Sequence, residues 1–385
     1  MHVHQHTLLQ SQGGTARVAR DLQMYLTGQG IPTIASFELQ DSAAVGLQIP
    51  PEQIANQVDD AKAQGILHLH STADWSVCLE FCRERATALA ITLHDCRLLT
   101  GGCPFPLSCQ QWVIGCSESC PQHFSKTAEH WEKIRVLLDN LKPILMAPSG
   151  WLAGMVRTLH PQARVRVIPN GIAAAGAERS SKIECKKKLG IQVNSKLVLF
   201  IAHGGKQAMY KGGHLWTRIW KQIKTREPQA VALAIGGEKT TRNGDFWELP
   251  YLVQQDLVRF MDAADVLVYP SLADNHPLVV LEAMSRGLPC VAFASGGIPE
   301  QIIHEQTGLL SPSGDIEHLA DSAVRILQEP AWGQHLAKLA FHRYHRFFTV
   351  ERMGRTYIDA YRQLLQATPR PEGIEDKQAR KRTRT

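Results

Sequence analysis

The sequence predicts an α/β protein made of two doubly wound, Rossmann-like domains that face one another across a cleft. Three observations lead there. At 385 residues the chain exceeds the size at which one hydrophobic core usually keeps growing, so two domains are expected. Short, nearly continuous apolar runs alternate with stretches of helical periodicity, the pattern of parallel strands covered on both faces by crossover helices. A polar, lysine-rich stretch around residues 179–188 then separates one such series from a second.

The first series opens with a strand over residues 3–9 and a helix over 15–26, and continues with strands at 31–37, 66–70, 90–93, 144–147 and 165–168. The second has strands at 197–202, 231–235, 266–269 and 290–293, with helices between them. This gives an N-terminal domain over 1–178 and a C-terminal domain over 190–345, joined within 172–195. The last helix, 350–365, carries Met353, Tyr357, Ile358, Tyr361 and Leu364 at helical spacing. That stripe reads as packing, so segment 346–368 is expected to return to the N-terminal domain. Beyond Pro369 the composition is polar and charged, and residues 369–385 are expected to form a disordered basic tail.

Hydrophobic residues at 44% and charged residues at 20% fit a globular protein and exclude a fibrous or disordered one. No run approaches the roughly 18 apolar residues of a membrane span. The start, Met1-His2-Val3-His4-Gln5-His6, has neither a basic n-region nor an apolar h-region, so the cytoplasm is the expected location. The net charge of +6 owes five units to Lys377, Arg380, Lys381, Arg382 and Arg384, which leaves the body near +1. A solvated tail, or a peripheral contact with the inner face of an anionic membrane, accounts for it. Nucleic acid is not expected, because no stacking-aromatic pattern accompanies the charge.

In doubly wound folds ligands bind beyond the carboxyl ends of the strands, and each candidate motif follows a strand. Asp274 and Glu282 bracket the segment Asn275-His276-Pro277-Leu278-Val279-Val280-Leu281. Pro277 suits the first turn of a helix, with Asn275 or His276 as its cap, so Asp274 falls in the loop and Glu282 about one and a half turns inside. Flanking carboxylates suit sugar or ribose hydroxyls, and bare helix amides suit a phosphate. A solvated amphipathic helix would also produce such a pair. Gly13-Gly14 opens the first helix, where backbone can approach a phosphate or simply make a turn; it is not a dinucleotide fingerprint. Lys206 and Lys211, followed by Gly212-Gly213, could neutralise a departing diphosphate or be ordinary surface cations. His94-Asp95, at a strand end, suits a substrate hydroxyl or a structural histidine, while His68 and His70 read as strand-end packing. Gly296-Gly297-Ile298-Pro299-Glu300 reads as a tight turn opening a helix, for structure or for ligand contact.

Together these elements resemble the family 4 retaining glycosyltransferases of the GT-B fold, from Gly13 to about Leu365. The family's pair of acids matches Asp274 and Glu282, its basic pair matches Lys206 and Lys211, and its Ile-Pro-Asn-Gly turn stands as Ile168-Pro169-Asn170-Gly171. The segment Thr92-Leu93-His94-Asp95, then Thr100-Gly101-Gly102-Cys103, resembles enzymes of bacterial surface-polysaccharide assembly. The resemblance implies sugar transfer from a UDP- or GDP-sugar to a glycan or lipid-linked acceptor, with retention and without a metal. By the same resemblance Lys206 and Lys211 hold the diphosphate, Glu282 the ribose, and Asp274 the donor sugar with Asn275, His276, Pro277 and Leu278. Gly13 and Gly14 approach the diphosphate from the other domain, and His94 touches the transferred sugar. Asp replaces Glu at the first acid and Lys replaces Arg at the first cation, which keeps both charges but loses a methylene and a bidentate fork. A nucleotide-sugar epimerase and a non-enzymatic nucleotide-sugar-binding protein are the alternatives.

Cys103, Cys109, Cys116 and Cys120 fall within eighteen residues of a Gly- and Pro-rich loop. Four thiols so close could hold one structural zinc, although the spacings are not C-x2-C pairs; reduced thiols and disulfides are the other readings.

Overall fold

The structure is a computed structural model that describes residues 1–42, 46–57, 65–83, 88–173 and 180–367. The first half contains β1 (His2–Leu9), α1 (Gly13–Gly28), β2 (Thr33–Leu39), β3 (Leu47–Gln48), β4 (Gly65–Leu69), α2 (Trp75–Arg83) and β5 (Ala88–Thr92). It continues through α3 (Gln111–Ile114), α4 (Thr127–Leu141), β6 (Ile144–Ala147), α5 (Gly150–Leu159) and β7 (Arg164–Val167). The second half holds α6 (Lys182–Lys188), β8 (Lys196–Ile201), α7 (Trp216–Arg226), β9 (Ala230–Gly237), β10 (Thr241–Asn243), β11 (Phe246–Pro250), α8 (Gln254–Ala263) and β12 (Val266–Tyr269). It ends with α9 (Leu278–Ser285), β13 (Cys290–Phe293), α10 (Ile298–Gln301), β14 (Leu309–Ser311), α11 (Ile316–Gln328), α12 (Pro330–Phe347) and α13 (Val350–Ala367).

Each half builds one seven-stranded sheet, ordered β3-β2-β1-β4-β5-β6-β7 and β10-β11-β9-β8-β12-β13-β14. Every pairing is parallel except that of β10 with β11. The central strands explain why: β5, β6, β12 and β13 are buried along their whole length, which requires cover on both faces. Strand order reverses between β1 and β4 in one sheet and between β8 and β12 in the other, so each domain opens a crevice at its carboxyl edge.

The chain passes between domains at two places, and the two passages pair. Ile172 donates its amide to Phe348 O and accepts from the Val350 amide. Gly171 lies so close to this crossing that a Cβ there would meet Thr349 O at 2.2 Å. Helix α13 then enters the N-terminal domain, where Met353, Tyr357, Tyr361 and Leu364 share a core with Val18, Leu22 and Leu26 of α1. Tyr25 packs against Gly354, where a Cβ would meet its ring at 2.0 Å. Polar contacts are buried with this seam: Tyr361 bonds His68 Nδ1 (2.7 Å), His68 Nε2 bonds Thr92 Oγ1 (2.8 Å), and Thr92 bonds Tyr357 (2.9 Å).

The observed elements differ from the expected ones mainly at sheet edges. β3, the β10–β11 hairpin and β14 were not anticipated, and all lie at or next to an edge where apolar patterning is weakest. Helix α9 begins at Leu278 with Pro277 as its N-cap and no side-chain cap. Neither Asn275 nor His276 caps it, because both side chains are engaged elsewhere. Part of the interdomain join and the basic tail fall outside the described residues.

Replacing Tyr361 by Phe removes the partner of a fully buried histidine nitrogen. Urea unfolding should show a loss of about 1–3 kcal/mol, with an unchanged slope; an unaltered midpoint would mean that the contact contributes nothing.

Candidate functional site

The loop from Asp274 to Pro277 is clasped from both sides. Asp274 O accepts the Gly297 amide at 3.0 Å, and Cβ atoms at Gly296 and Gly297 would meet Asp274 O at 2.0 Å and Asn275 O at 1.8 Å. Both positions therefore require glycine, and the Gly296-Gly297 turn is a structural clamp. From the other domain, Asn275 Nδ2 donates to Leu93 O (3.0 Å) and its Oδ1 accepts from Ser149 Oγ. Asn170 Nδ2 holds His276 O at 3.0 Å, and Gln301 Nε2 donates to Pro277 O and lies 3.0 Å from His276 Nδ1. Burial pushes the His276 imidazole down to about 3, so it is neutral. Glu300 completes the seam: its two oxygens accept the Gly150 and Trp151 amides at 2.7 and 2.8 Å, capping α5 of the opposite domain.

This clasp leaves a cavity of about 310 Å3 between the domains, lined by Gly14, Thr15 and His94 on one wall and Lys211, Asp274 and Leu278 on the other. The first turns of α1 and α9 both open there without a side-chain cap. Each therefore presents free amides and a positive dipole end, an arrangement suited to an anion. Asp274 is buried with its Oδ2 bonded by Lys211 Nζ and the Tyr269 hydroxyl. Leu278 Cδ1 lies 3.8 Å from where a Gly14 Cβ would be, so the two walls nearly touch. Gly13 is needed for its φ of +84° rather than for space.

His94 joins this cavity to a larger one of about 770 Å3 in the N-terminal domain. Its Nε2 lies 3.0 Å from His70 Nδ1, the rings are stacked, and burial lowers it to about 4, so it too is neutral. His68 and His70, read as packing, are indeed buried, His68 inside the seam with α13.

Not all of the expected residues converge. Lys206 turns away: its Nζ pairs with Glu248 at 3.0 Å and sits over the Phe246 ring, because left-handed Gly204 and Gly205 direct the chain towards β11. The Lys206–Lys211 pair is therefore split in this structure. Glu282, one turn inside α9, is covered by Arg17 of α1, whose guanidinium bonds its carboxylate across the domain boundary. Arg17, Tyr269, Ser149 and His203, which lines the smaller cavity, were not singled out as site residues. For Arg17 the only available signal was a cation in the first turn of a helix, where the dipole disfavours it.

The four clustered cysteines are free thiols, and among the described residues no group of three or more ligating side chains is arranged to hold a metal. Cys116 Sγ instead accepts the Gly101 amide at 3.0 Å. The loop is tied to the C-terminal domain where Tyr210 donates to Gln122 Oε1 at 2.6 Å.

Comparison with known proteins bears on part of the second half. Residues 195–329 match the family described as Glycosyl transferases group 1. These residues are a group 1 glycosyltransferase domain. The D-inositol 3-phosphate glycosyltransferase of Saccharomonospora viridis is 35% identical over 137 residues, which are 36% of this chain and 30% of that one. The amylovoran biosynthesis glycosyltransferase AmsK of Erwinia amylovora is 38% identical over 84 residues, 20% of this chain and 21% of its own. The chain thus spans under a third of the length of either relative. In fold the likeness is nearly complete. Sucrose-phosphate synthase from Thermosynechococcus elongatus superposes with a TM-score of 0.71 at 20% identity, covering 95% of this chain and all of that one. Anabaena HepE, solved in complex with UDP-glucose, gives 0.69 at 17% identity, covering 94% and 99%. The architecture around the glycosyltransferase domain is the GT-B fold, as two facing parallel sheets already implied.

Two outcomes follow from the interdomain ion pair and the buried histidines. Glu282→Gln leaves the half-buried Arg17 with the carboxylate of Asp21, and should cost about 1–3 kcal/mol in ligand-free unfolding; no change would mean that the pair is not formed in solution. Burial holds His4 and His94 at about 4 and His68 and His276 at about 3, against an ordinary 6.5. The unfolded chain takes up protons below pH 6.5 while the folded one does not, so this stability is present above 6.5 and lost as pH falls towards 4. Each such histidine contributes up to about 1.4 kcal/mol per pH unit. Urea midpoints measured from pH 7.5 to 5 should therefore fall steeply; a flat profile would contradict it.

Proposed function

We propose that the chain transfers a glycosyl group from a nucleoside-diphosphate sugar, UDP- or GDP-linked, to a hydroxyl of a glycan or lipid-linked acceptor in polysaccharide assembly. The observation that carries the reading is the meeting, in one interdomain cavity, of the uncapped starts of α1 and α9 with Lys211, Asp274 and His94. The solved complexes of HepE with UDP and UDP-glucose support a nucleotide-sugar donor.

In this mechanism the bond from the anomeric carbon to the diphosphate oxygen breaks through an oxocarbenium-like state. The helix amides and the Lys211 ammonium stabilise the leaving diphosphate. The acceptor oxygen bonds the anomeric carbon on the face the diphosphate leaves, its proton passes to the departing phosphate oxygen, and configuration is retained. No divalent metal is required when those donors supply the charge. Glu282 binds the ribose hydroxyls and Asp274 a hydroxyl of the donor sugar. In the ligand-free state both acids are occupied, by Arg17 and by Lys211 with Tyr269. Donor binding therefore exchanges partners at Glu282, and Lys206 joins the diphosphate only by leaving Glu248. His94, neutral, donates or accepts a hydrogen bond at the sugar without adding charge.

Zinc on Cys103, Cys109, Cys116 and Cys120 is proposed solely as a fastening of that loop. Burial is the main cause that raises Cys116 to about 11, opposed by the Gly101 amide, with smaller contributions from the other three thiols. The thiols would have to draw together to bind the ion, since they form no metal-ready group among the described residues. Metal analysis of protein purified without chelator should find about one zinc per chain if this holds; less than about half excludes it. We also propose a location at the cytoplasmic face of the membrane, where a lipid-linked acceptor would lie. Among the described residues no helix is long and apolar enough to cross a membrane.

The assay incubates the full chain with a panel of UDP- and GDP-sugars, with and without lipid-linked acceptors, and follows donor loss and nucleotide release. Lys211→Ala should slow release on the order of 100-fold. Interconversion of sugars without release would replace the transferase by an epimerase, and binding without turnover would leave a nucleotide-sugar-binding protein.

A further inference from the structure

The 770 Å3 cavity of the N-terminal domain contains polar atoms that the donor chemistry leaves unused. Strand β4 ends at Leu69, and the chain continues through His70 and Thr72 where strand order reverses. Both side chains line the cavity and are almost fully buried, at 1% and 6% exposure. Yet His70 Nε2 and Thr72 Oγ1 have no hydrogen-bond partner among the described residues. Buried polar groups are nearly always paired, and two unpaired ones facing a single cavity mark a place where a ligand supplies the partner.

The chemistry of the two atoms narrows the ligand. His70 is fixed from behind, its Nδ1 lying 3.0 Å from His94 Nε2. The titratable groups that act on its ring are His6, His68 and His94, with no carboxylate or ammonium among them, and burial keeps it well below the ordinary histidine range. The charged side chains that line the cavity carry both signs, Asp74, Asp95 and Glu129 against Arg97, Lys126 and Lys133. A neutral imidazole nitrogen and a threonine hydroxyl add no charge of their own, so the two unpaired atoms select for hydrogen bonding rather than for an ion. They match an alcohol, which can both donate and accept. Trp75, Leu8 and Leu9 line the same cavity and offer apolar surface to the carbons of a sugar ring. The cavity shares Gly14, Thr15, His94 and Asp95 with the donor cavity, so its occupant adjoins the transferred sugar.

We infer that His70 Nε2 and Thr72 Oγ1 form a hydroxyl-binding subsite for a sugar unit of the acceptor, on the N-terminal wall behind His94. The inference deepens the glycosyltransferase reading and rests on it for the word acceptor. His70 is a binding residue here, and through Nδ1 it also positions the His94 ring.

The test uses simple glycosides as probes: methyl α-glucoside, methyl α-mannoside and N-acetylglucosamine at up to 100 mM, followed by saturation-transfer NMR on the full chain. UDP and GDP binding is measured in parallel by calorimetry. Wild type should bind at least one glycoside. Thr72→Val and His70→Asn, which keeps a group near Nδ1 and removes Nε2, should each weaken it at least about fivefold. His70→Gln, which restores an amide near Nε2, should stay within about threefold of wild type. Nucleotide affinity should not move in any variant, which also reports that each is folded. Equal glycoside affinity in wild type and Thr72→Val, or no glycoside binding by wild type at 100 mM, would overturn the subsite. Absent nucleotide binding alongside His70-dependent glycoside binding would instead sink the transferase reading and leave the subsite standing.

Discussion

Everything in the cleft hangs on how closely the Asp274–Pro277 backbone is allowed to approach its surroundings. Two carbonyls of that loop lie where any side chain at Gly296 or Gly297 would collide with them, and one asparagine side chain reaches the opposite domain at Leu93 and Ser149. Because the loop is pinned on both sides, helix α9 starts at a fixed point with its amides bare and its dipole aimed at the gap. Asp274 and Lys211 are then held at one wall and Gly14 at the other. The charged groups provide the chemistry, but glycines and amides set where it can occur.

The same seam shows how one residue type serves two purposes. Glu300 is spent on capping a helix of the other domain, Asp262 on a buried pair with Arg286, and Glu248 on Lys206. Glu282 and Asp274 are also paired, but with cations that line or border the cavity and can change partners when a ligand arrives. Sequence spacing cannot separate these classes, because the partner that decides each case comes from a distant segment.

That is also the measure of what was legible. Central strands such as 144–147, 266–269 and 290–293 were read to the residue, since continuous apolar runs admit few alternatives. The β10–β11 hairpin was missed although Asn243-Gly244 between short alternating segments is its usual signal. At the site, the strand-end placement of Gly14, His94, Lys211 and Asp274 could be inferred from order along the chain. The direction of Lys206 could not, because two left-handed glycines and a glutamate on an unforeseen strand determine it. Nor could Arg17, whose partner lies 265 positions away. Asn275 lines the interdomain cavity where it was expected, but that its side chain would be held by Leu93 and Ser149 of the opposite domain was not legible.

The paired crossings at Ile172 and Phe348–Val350 mean that the C-terminal domain is, in chain order, an insertion within the N-terminal one. The N-terminal domain is completed by α13, whose Tyr357 and Tyr361 satisfy Thr92 and His68 in its interior. During synthesis those buried groups emerge early and wait, while the entire second domain is made and can close its own two cores. The half of the protein that is translated first therefore obtains its full set of buried contacts only after the second half has been made.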